Sequence, residues 1–491
     1  MRLTASKSPE PVSTPPGPNG RTSRTTREGK PAGFAYQAVY RYLVSLIDEV
    51  ETEARVKLPS LRQLSERLNV SISTVQYAYS LLEKEGRVYS QAKSGYYALP
   101  VPGGSFVSGG ADLLERIYVH SRRPGTLVLG NDEPALLLSL DNPLLLLERE
   151  LVRQYPRQQQ PQLQPFGEME LRAALAVRYT TSAQRYWHAD DVYIGADLRS
   201  VLETLMAALA LKHTTVLVES PCDWVILRLL QAGGVDVVEL PLDGDGLFDL
   251  EQLEQLLRAQ PVKLLLMSSG VSMPRGSLMP VEHRQHIARL LEHFGVWLLE
   301  NDSHGELAYQ PGGVRMRDLV DPDRLLVLAG FERFMGCEAP FGYLLSRHFG
   351  VELQRHFLLR SFRMSPTRQK AIARLYASGR LDQHLGILRR LLQERLSQVC
   401  QLLQEHLPDS LDFVPPQGGA TVWAQARREV DMRKVFEHLL EQRIVIAPGE
   451  LFSLHGLHRD CLRLSSTSSA HRHLEPALGA LCGALRLESG P

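Results

Sequence analysis

Residues 58–99 constrain this chain more than any other stretch. Two short helical stripes, a tight turn and a small hairpin follow one another there in the order a winged helix-turn-helix needs. Pro59 ends an extended approach, and Ser60-Leu61-Arg62-Gln63 has the S-x-x-Q form of a capping box, whose two ends satisfy each other's backbone amides. Leu61, Leu64 and Leu68 then repeat at helical spacing. Asn69 and Val70 make a turn, and Ser71 or Ser73 caps a second helix. In it Val75, Ala78, Tyr79 and Leu82 fall at i, i+3, i+4 and i+7 on the buried side. An earlier helix carrying Tyr36, Val39, Leu43 and Ile47 completes a three-helix core. Residues 88–99 read as two short strands around Ala92-Lys93-Ser94-Gly95.

An ordinary helical pair with a solvated outer face would show the same two stripes; the hairpin separates the two readings. The residues left outside are Ser71, Ser73, Thr74, Gln76 and Tyr77 on the second helix, with Ser60 and Arg62 at the start of the first. Hydroxyls, an amide and a guanidinium suit phosphates and base edges. The hairpin tip offers Lys93, Ser94 and the Gly95 backbone to a phosphate. Double-stranded DNA is the expected partner. The segment LPSLRQLSERLNVSISTVQYAYSLLEKEGRVYSQAKSGYYAL resembles the DNA-reading domain of the GntR family of bacterial regulators.

Lys+Arg and Asp+Glu number 55 each, so no global positive field exists and any DNA affinity is local. Residues 1–33 are rich in Pro, Ser, Thr and Gly and carry Arg2, Lys7, Arg21, Arg24, Arg27 and Lys30 against Glu10 and Glu28. This arm reads as disordered and basic, either adding salt-sensitive phosphate contacts or serving as a passive tail. The cysteines at 222, 337, 400, 461 and 482 lack paired metal-type spacing. No apolar run approaches the roughly 20 residues of a membrane span, and the start of the chain lacks a signal-peptide core. A cytoplasmic chain with no metal site and no membrane partner is expected.

At 491 residues the chain exceeds one core. It divides into a winged helix-turn-helix over 34–100, a Pro- and Gly-rich linker over 101–128 and a remainder over 129–491. In the remainder, apolar runs at 215–219, 235–240, 262–267, 296–300 and 325–329 alternate with helical patterns, which implies an α/β domain with a buried, mostly parallel sheet. From 366 to 407 helix dominates, with a stripe through Leu385, Leu388, Leu392 and Leu396. Short strands follow around 421–424, 444–446 and 461–464, so a smaller α+β subdomain is expected over about 371–491. The order of Gly167, Gly195-Ala196-Asp197, Val218-Glu219-Ser220-Pro221, Met273-Pro274-Arg275-Gly276, Gly342-Tyr343, Gly379 with His384, and Arg463 resembles a fold-type I aminotransferase. With the reading head in front, the chain is similar to a MocR-type member of the GntR family. That resemblance implies a homodimer that presents two heads to two half-sites.

It also implies pyridoxal 5'-phosphate, bound as a Schiff base to the lysine of an S-F-S-K segment. The matching residues are Gly330-Phe331-Glu332-Arg333, and a guanidinium stays charged at physiological pH and forms no imine. No lysine lies between Lys263 and Lys370. The carboxylate that pairs with the ring nitrogen matches Asn301, with Asp302 as substitute if the register slips by one. An amide there forfeits a charge-assisted bond of roughly 1.5 to 3 kcal/mol. The tyrosine near the ring oxygen becomes His304 or Ser303, and the asparagine of an N-P-x-G turn becomes Met273. The aromatic after residue 222 becomes Asp223, with Trp224 one place on, and the arginine that grips the phosphate becomes Pro340. Arg463 matches the arginine that grips a substrate carboxylate, a role suited to bidentate pairing, the alternative being a structural arginine in a strand next to Ser465.

The expectation is a DNA-binding transcriptional regulator, not an enzyme, whose aminotransferase-like domain has a degenerate cofactor site, holds no cofactor and serves dimerisation and effector sensing. Competing readings are a regulator that keeps pyridoxal phosphate as a noncovalent effector, an active aminotransferase with an appended DNA domain, and a sensor of a small anionic metabolite held by Arg463 and Arg333.

Overall fold

A computed structural model describes residues 35–48, 57–84, 88–91, 95–98, 113–123, 125–154, 164–310, 312–467 and 471–488. The arm expected over 1–33 lies outside the described residues, as do Lys93 and Ser94. The chain divides into two compact units, Met1–Ala111 and Asp112–Pro491.

The first unit comprises α1 (Ala35–Asp48), α2 (Leu61–Leu68), α3 (Ile72–Lys84), β1 (Val88–Gln91) and β2 (Gly95–Ala98). Val39, Leu43, Leu64, Val75, Ala78, Tyr79 and Leu82 have no exposed surface and form its core. The capping box at the start of α2 is complete: Ser60 N donates to Gln63 Oε1 at 2.9 Å, and Gln63 N donates to Ser60 Oγ at 3.3 Å. α2 stops at Asn69, whose left-handed φ of 50° turns the chain, and Ser71 rather than Ser73 caps α3 by accepting from Thr74 N at 3.1 Å. β1 and β2 pair antiparallel from Val88↔Ala98 to Gln91↔Gly95. Two contacts pin this hairpin to α3. Tyr79 stacks on Tyr96 at 4.2 Å while its hydroxyl donates to the Pro59 carbonyl, and Glu83 accepts from both Ser90 N and Ser90 Oγ.

The second unit is built on a seven-stranded sheet in the order Val192–Gly195, Gly342–Ser346, Leu325–Gly330, Trp297–Asn301, Val262–Ser268, Thr215–Ser220, Asp236–Pro241. Gly342–Ser346 runs antiparallel to both neighbours and every other pairing is parallel. Parallel strands are covered on both faces, which is why the five apolar runs mark these strands to within about a residue. A smaller sheet, Leu411–Phe413, Thr421–Ala426, Cys461–Ser465 and Ala447–Pro448, is antiparallel throughout and shares a second core with the helices Met432–Glu441 and His471–Glu488.

Two expected boundaries are corrected. Within the linker expected over 101–128, Leu113–Ser121 is a helix whose Leu113 and Ile117 enter the small-subdomain core, and Leu127–Val128 pairs in parallel with Ile444–Val445. The Gly- and Pro-rich composition just before this helix masks how short its apolar stripe is. The small subdomain also begins later than about 371. Arg380–His406 is one 27-residue helix, with Leu381, Leu385, Leu388 and Leu392 in the large-domain core and Leu396, Val399 and Leu403 in the small one. A continuous stripe carries no mark of where its packing partner changes.

Candidate functional site

On the first unit, packing of the α3 stripe turns Ser73, Gln76 and Tyr77 to solvent. Ser71 Oγ lies 2.9 Å from Ser73 Oγ and 2.7 Å from Thr74 Oγ1, a hydroxyl cluster at the helix start. Tyr77 sets its ring edge-to-face against Tyr36 at 5.1 Å. Arg62 is exposed in the first turn of α2, whereas Ser60 is committed to its capping box. Gly95 opens β2, so the described edge of the hairpin tip lies where expected. Sequence reasoning passed over Ile72, the first residue of α3, which is 46% exposed. Its signal was available: it stands one helical turn before Gln76, outside the buried stripe.

In the second unit, Asp223, Met273, Asn301, His304, Arg333 and Pro340 all line one cavity, although 117 positions separate the first from the last (340 − 223). Most follow the carboxyl ends of parallel strands, where such sheets form ligand crevices. No lysine is among the lining residues. Arg333 donates to the Asp132 carbonyl and forms ion pairs with the Asp132 carboxylate at 3.4 Å and with Asp223 at 3.6 Å. Burial alone would lower the Arg333 pKa, but these aspartates outweigh it and raise the value. Asp132 Oδ2 also meets His304 Nε2 at 2.9 Å. Burial favours the neutral acid at Asp132, yet Arg333 and His304 hold its carboxyl well below the usual range. Asp132 was invisible in the sequence, since it lies 201 residues before Arg333 with no local pattern to mark it.

The strand register separates Asn301 from Asp302. Asn301 lines the cavity, where its Oδ1 accepts from Ser303 N and Ser303 Oγ. Asp302 turns away, as alternation at the strand end requires, and accepts from Arg315 at 2.8 Å, Arg317 at 2.7 Å and the Tyr179 hydroxyl at 2.6 Å. Burial would raise its pKa, but the two guanidiniums hold it far down. The slipped register, with Asp302 at the cavity, therefore does not occur. The helix Leu198–Ala208 starts at the cavity wall, and its amino end is already capped by Asp197, which accepts from Ser200 N at 2.7 Å. A side chain at Gly342 would come within 2.6 Å of the Asp197 carbonyl group, so this close approach needs glycine.

Arg463 sits in the strand Cys461–Ser465, opposite Trp423. Its guanidinium lies over the rings of Trp224 at 4.5 Å and Phe452 at 4.9 Å and donates to the Gly130 carbonyl. Burial lowers its pKa to about 10, which leaves it charged at neutral pH. Its Nε has no hydrogen-bond partner among the described residues. Among those residues no group of three or more His, Cys, Asp or Glu side chains is placed to hold a metal ion, and no helix is long and apolar enough to cross a membrane.

The gntR family of bacterial regulatory proteins matches residues 35–97, and the class I and II aminotransferase family matches residues 151–481. The chain is similar to YjiR, an uncharacterized HTH-type transcriptional regulator of Escherichia coli (strain K12), with 27% identity over 452 residues, 88% of this chain and 94% of that protein. It is also similar to YisV, an uncharacterized HTH-type transcriptional regulator of Bacillus subtilis (strain 168), with 21% identity over 91% of this chain and 94% of that one. Among solved structures it resembles LysN, the alpha-aminoadipate aminotransferase of Thermus thermophilus, with a TM-score of 0.67 and 19% identity over 76% of this chain and 94% of that chain, a likeness of fold. The chain thus belongs to the class I and II aminotransferase family and carries a gntR-type helix-turn-helix domain ahead of it.

Proposed function

We propose that this chain is a cytoplasmic, sequence-specific regulator of transcription. In this reading it binds double-stranded DNA through α2, α3 and the hairpin, as a homodimer, and its aminotransferase-like domain works without cofactor chemistry. The observation that carries the DNA reading is the outer face of α3, where polar side chains stand over a fully buried stripe and beside a pinned hairpin. The gntR match and the regulators named among its relatives support it. Arg62→Ala, Thr74→Ala and Gln76→Ala are each expected to weaken protection of the operator in footprinting; unchanged footprints in all three would remove the assigned surface.

The residues facing the cavity do not fit pyridoxal phosphate. No lysine is among the residues lining the cavity to form the imine, and Arg333 is neutralised by Asp132 and Asp223. The helix end where an anion would dock holds the Asp197 carboxylate two positions before Arg199, with Glu332 also in the wall. Added pyridoxal phosphate is therefore expected to give no borohydride-reducible imine absorbance and no half-transamination of any amino acid. Saturable binding would restore the cofactor as an effector. Exposed apolar side chains on two helices, Leu146 and Val152 on Pro143–Gln154 and Val351 and Leu359 on Gly350–Arg360, support dimerisation. Arg463, charged and with a buried Nε that has no hydrogen-bond partner among the described residues, supports sensing of a small carboxylate, although it does not line the cavity.

A further inference from the structure

The face that α3 turns outward has a chemistry narrower than DNA binding in general. From Ile72 to Glu83 the helix carries no arginine or lysine; Lys84 stands in its last turn. The commonest specific contact to guanine, a cation bridging O6 and N7, therefore has no donor on the amino-terminal turns that enter a major groove. The hydroxyls of Ser71, Ser73 and Thr74 are bonded to one another, an arrangement suited to positioning on phosphates. Tyr77 is held against Tyr36.

Two side chains on these turns keep their outward chemistry open. Gln76 is exposed and its side chain makes no hydrogen bond within the described residues, so its amide presents one donor group and one acceptor together. That pair is complementary to N6 and N7 of adenine. Ile72, one turn earlier and 46% exposed, has only carbon to offer. Against a G·C pair it would strip water from polar edges without replacing their hydrogen bonds, whereas the methyl of thymine is a matching surface. Four residues of helix advance about 6 Å. At about 3.4 Å per base pair, the two side chains address positions one or two steps apart.

We propose that α3 specifies A·T pairs at the centre of its half-site: Gln76 pairs with an adenine, and Ile72 packs on the methyl of a thymine one or two base pairs away. This rests on the DNA-reading role proposed above and names what that role selects.

The test uses the full chain and a library of random duplexes. Wild-type protein is expected to enrich a site with A·T pairs at both positions. Gln76→Ala should erase the preference at one, Ile72→Ala should weaken it at a neighbouring one, and Gln76→Arg should move the first toward guanine. On the enriched site, 7-deazaadenine opposite Gln76 should weaken wild-type binding about tenfold and leave Gln76→Ala unaffected. Replacing thymine by uracil at the Ile72 position should cost about fourfold and only in proteins that keep Ile72. Enrichment of G·C at the positions that depend on residues 72 and 76, or an unchanged preference profile in Gln76→Ala, overturns the proposal while leaving DNA reading intact. Absence of any enriched sequence overturns both.

Discussion

The α3 face of the first unit and the cavity of the second both carry polar groups, but these are partnered in different ways. On α3, Gln76 points outward with its side-chain amide unpaired among the described residues, and burial is confined to the opposite stripe. At the cavity, Arg333 pairs with Asp223 and Asp132, and Asp132 with His304, while the Asp132 Oδ1 keeps no hydrogen-bond partner among the described residues; just behind the wall Asp302, Arg315, Arg317 and Tyr179 form a second closed set. A surface whose hydrogen-bonding capacity is open waits for a partner, while charges that cancel internally hold the fold together. The difference separates polar groups left open to solvent from charges paired within the fold.

The comparison breaks most visibly if the closed sets prove dispensable. Arg317→Met leaves Asp302 and Glu300 short of a cation in a fully buried setting, and is expected to destabilise the second unit by about 3 to 5 kcal/mol in denaturant unfolding. Asp132→Asn should cost about 2 kcal/mol at neutral pH. Because the folded state depresses the Asp132 pKa, its contribution is complete above the unfolded value of about 3.9 and fades as pH falls through the folded value. The gap between wild type and Asp132→Asn should therefore begin to narrow below about pH 4 and go on narrowing as the pH falls further. At the small end, Gln76→Ala should shift unfolding by less than about 0.5 kcal/mol while weakening operator binding, since the side chain touches solvent rather than core.

Much of this arrangement was legible in the residues because it is local. The α3 stripe, the capping box at Ser60 and the apolar runs of the sheet each depend on spacings within a few positions, and each lies where those spacings put it. The six residues picked around the cavity also converge, because strand ends in a parallel sheet share one edge. What escaped is long-range. Asp132 reaches Arg333 across 201 residues, and the choice between Asn301 and Asp302 turned on a single-residue register that only the paired strands fix. The helix Arg380–His406 changes cores midway without changing its pattern.

Residues 127–132 have a mechanical consequence. Leu127–Val128 is hydrogen-bonded to Ile444–Val445, Leu129 and Gly130 are gripped by Ser465 and Arg463, and two residues later Asp132 is held by His304 and Arg333. One short run of peptide is thereby stitched to the small subdomain at one end and to the large one at the other. Any shear between the two subdomains must stretch or bend this run, so a few peptide units carry the strain of their relative motion.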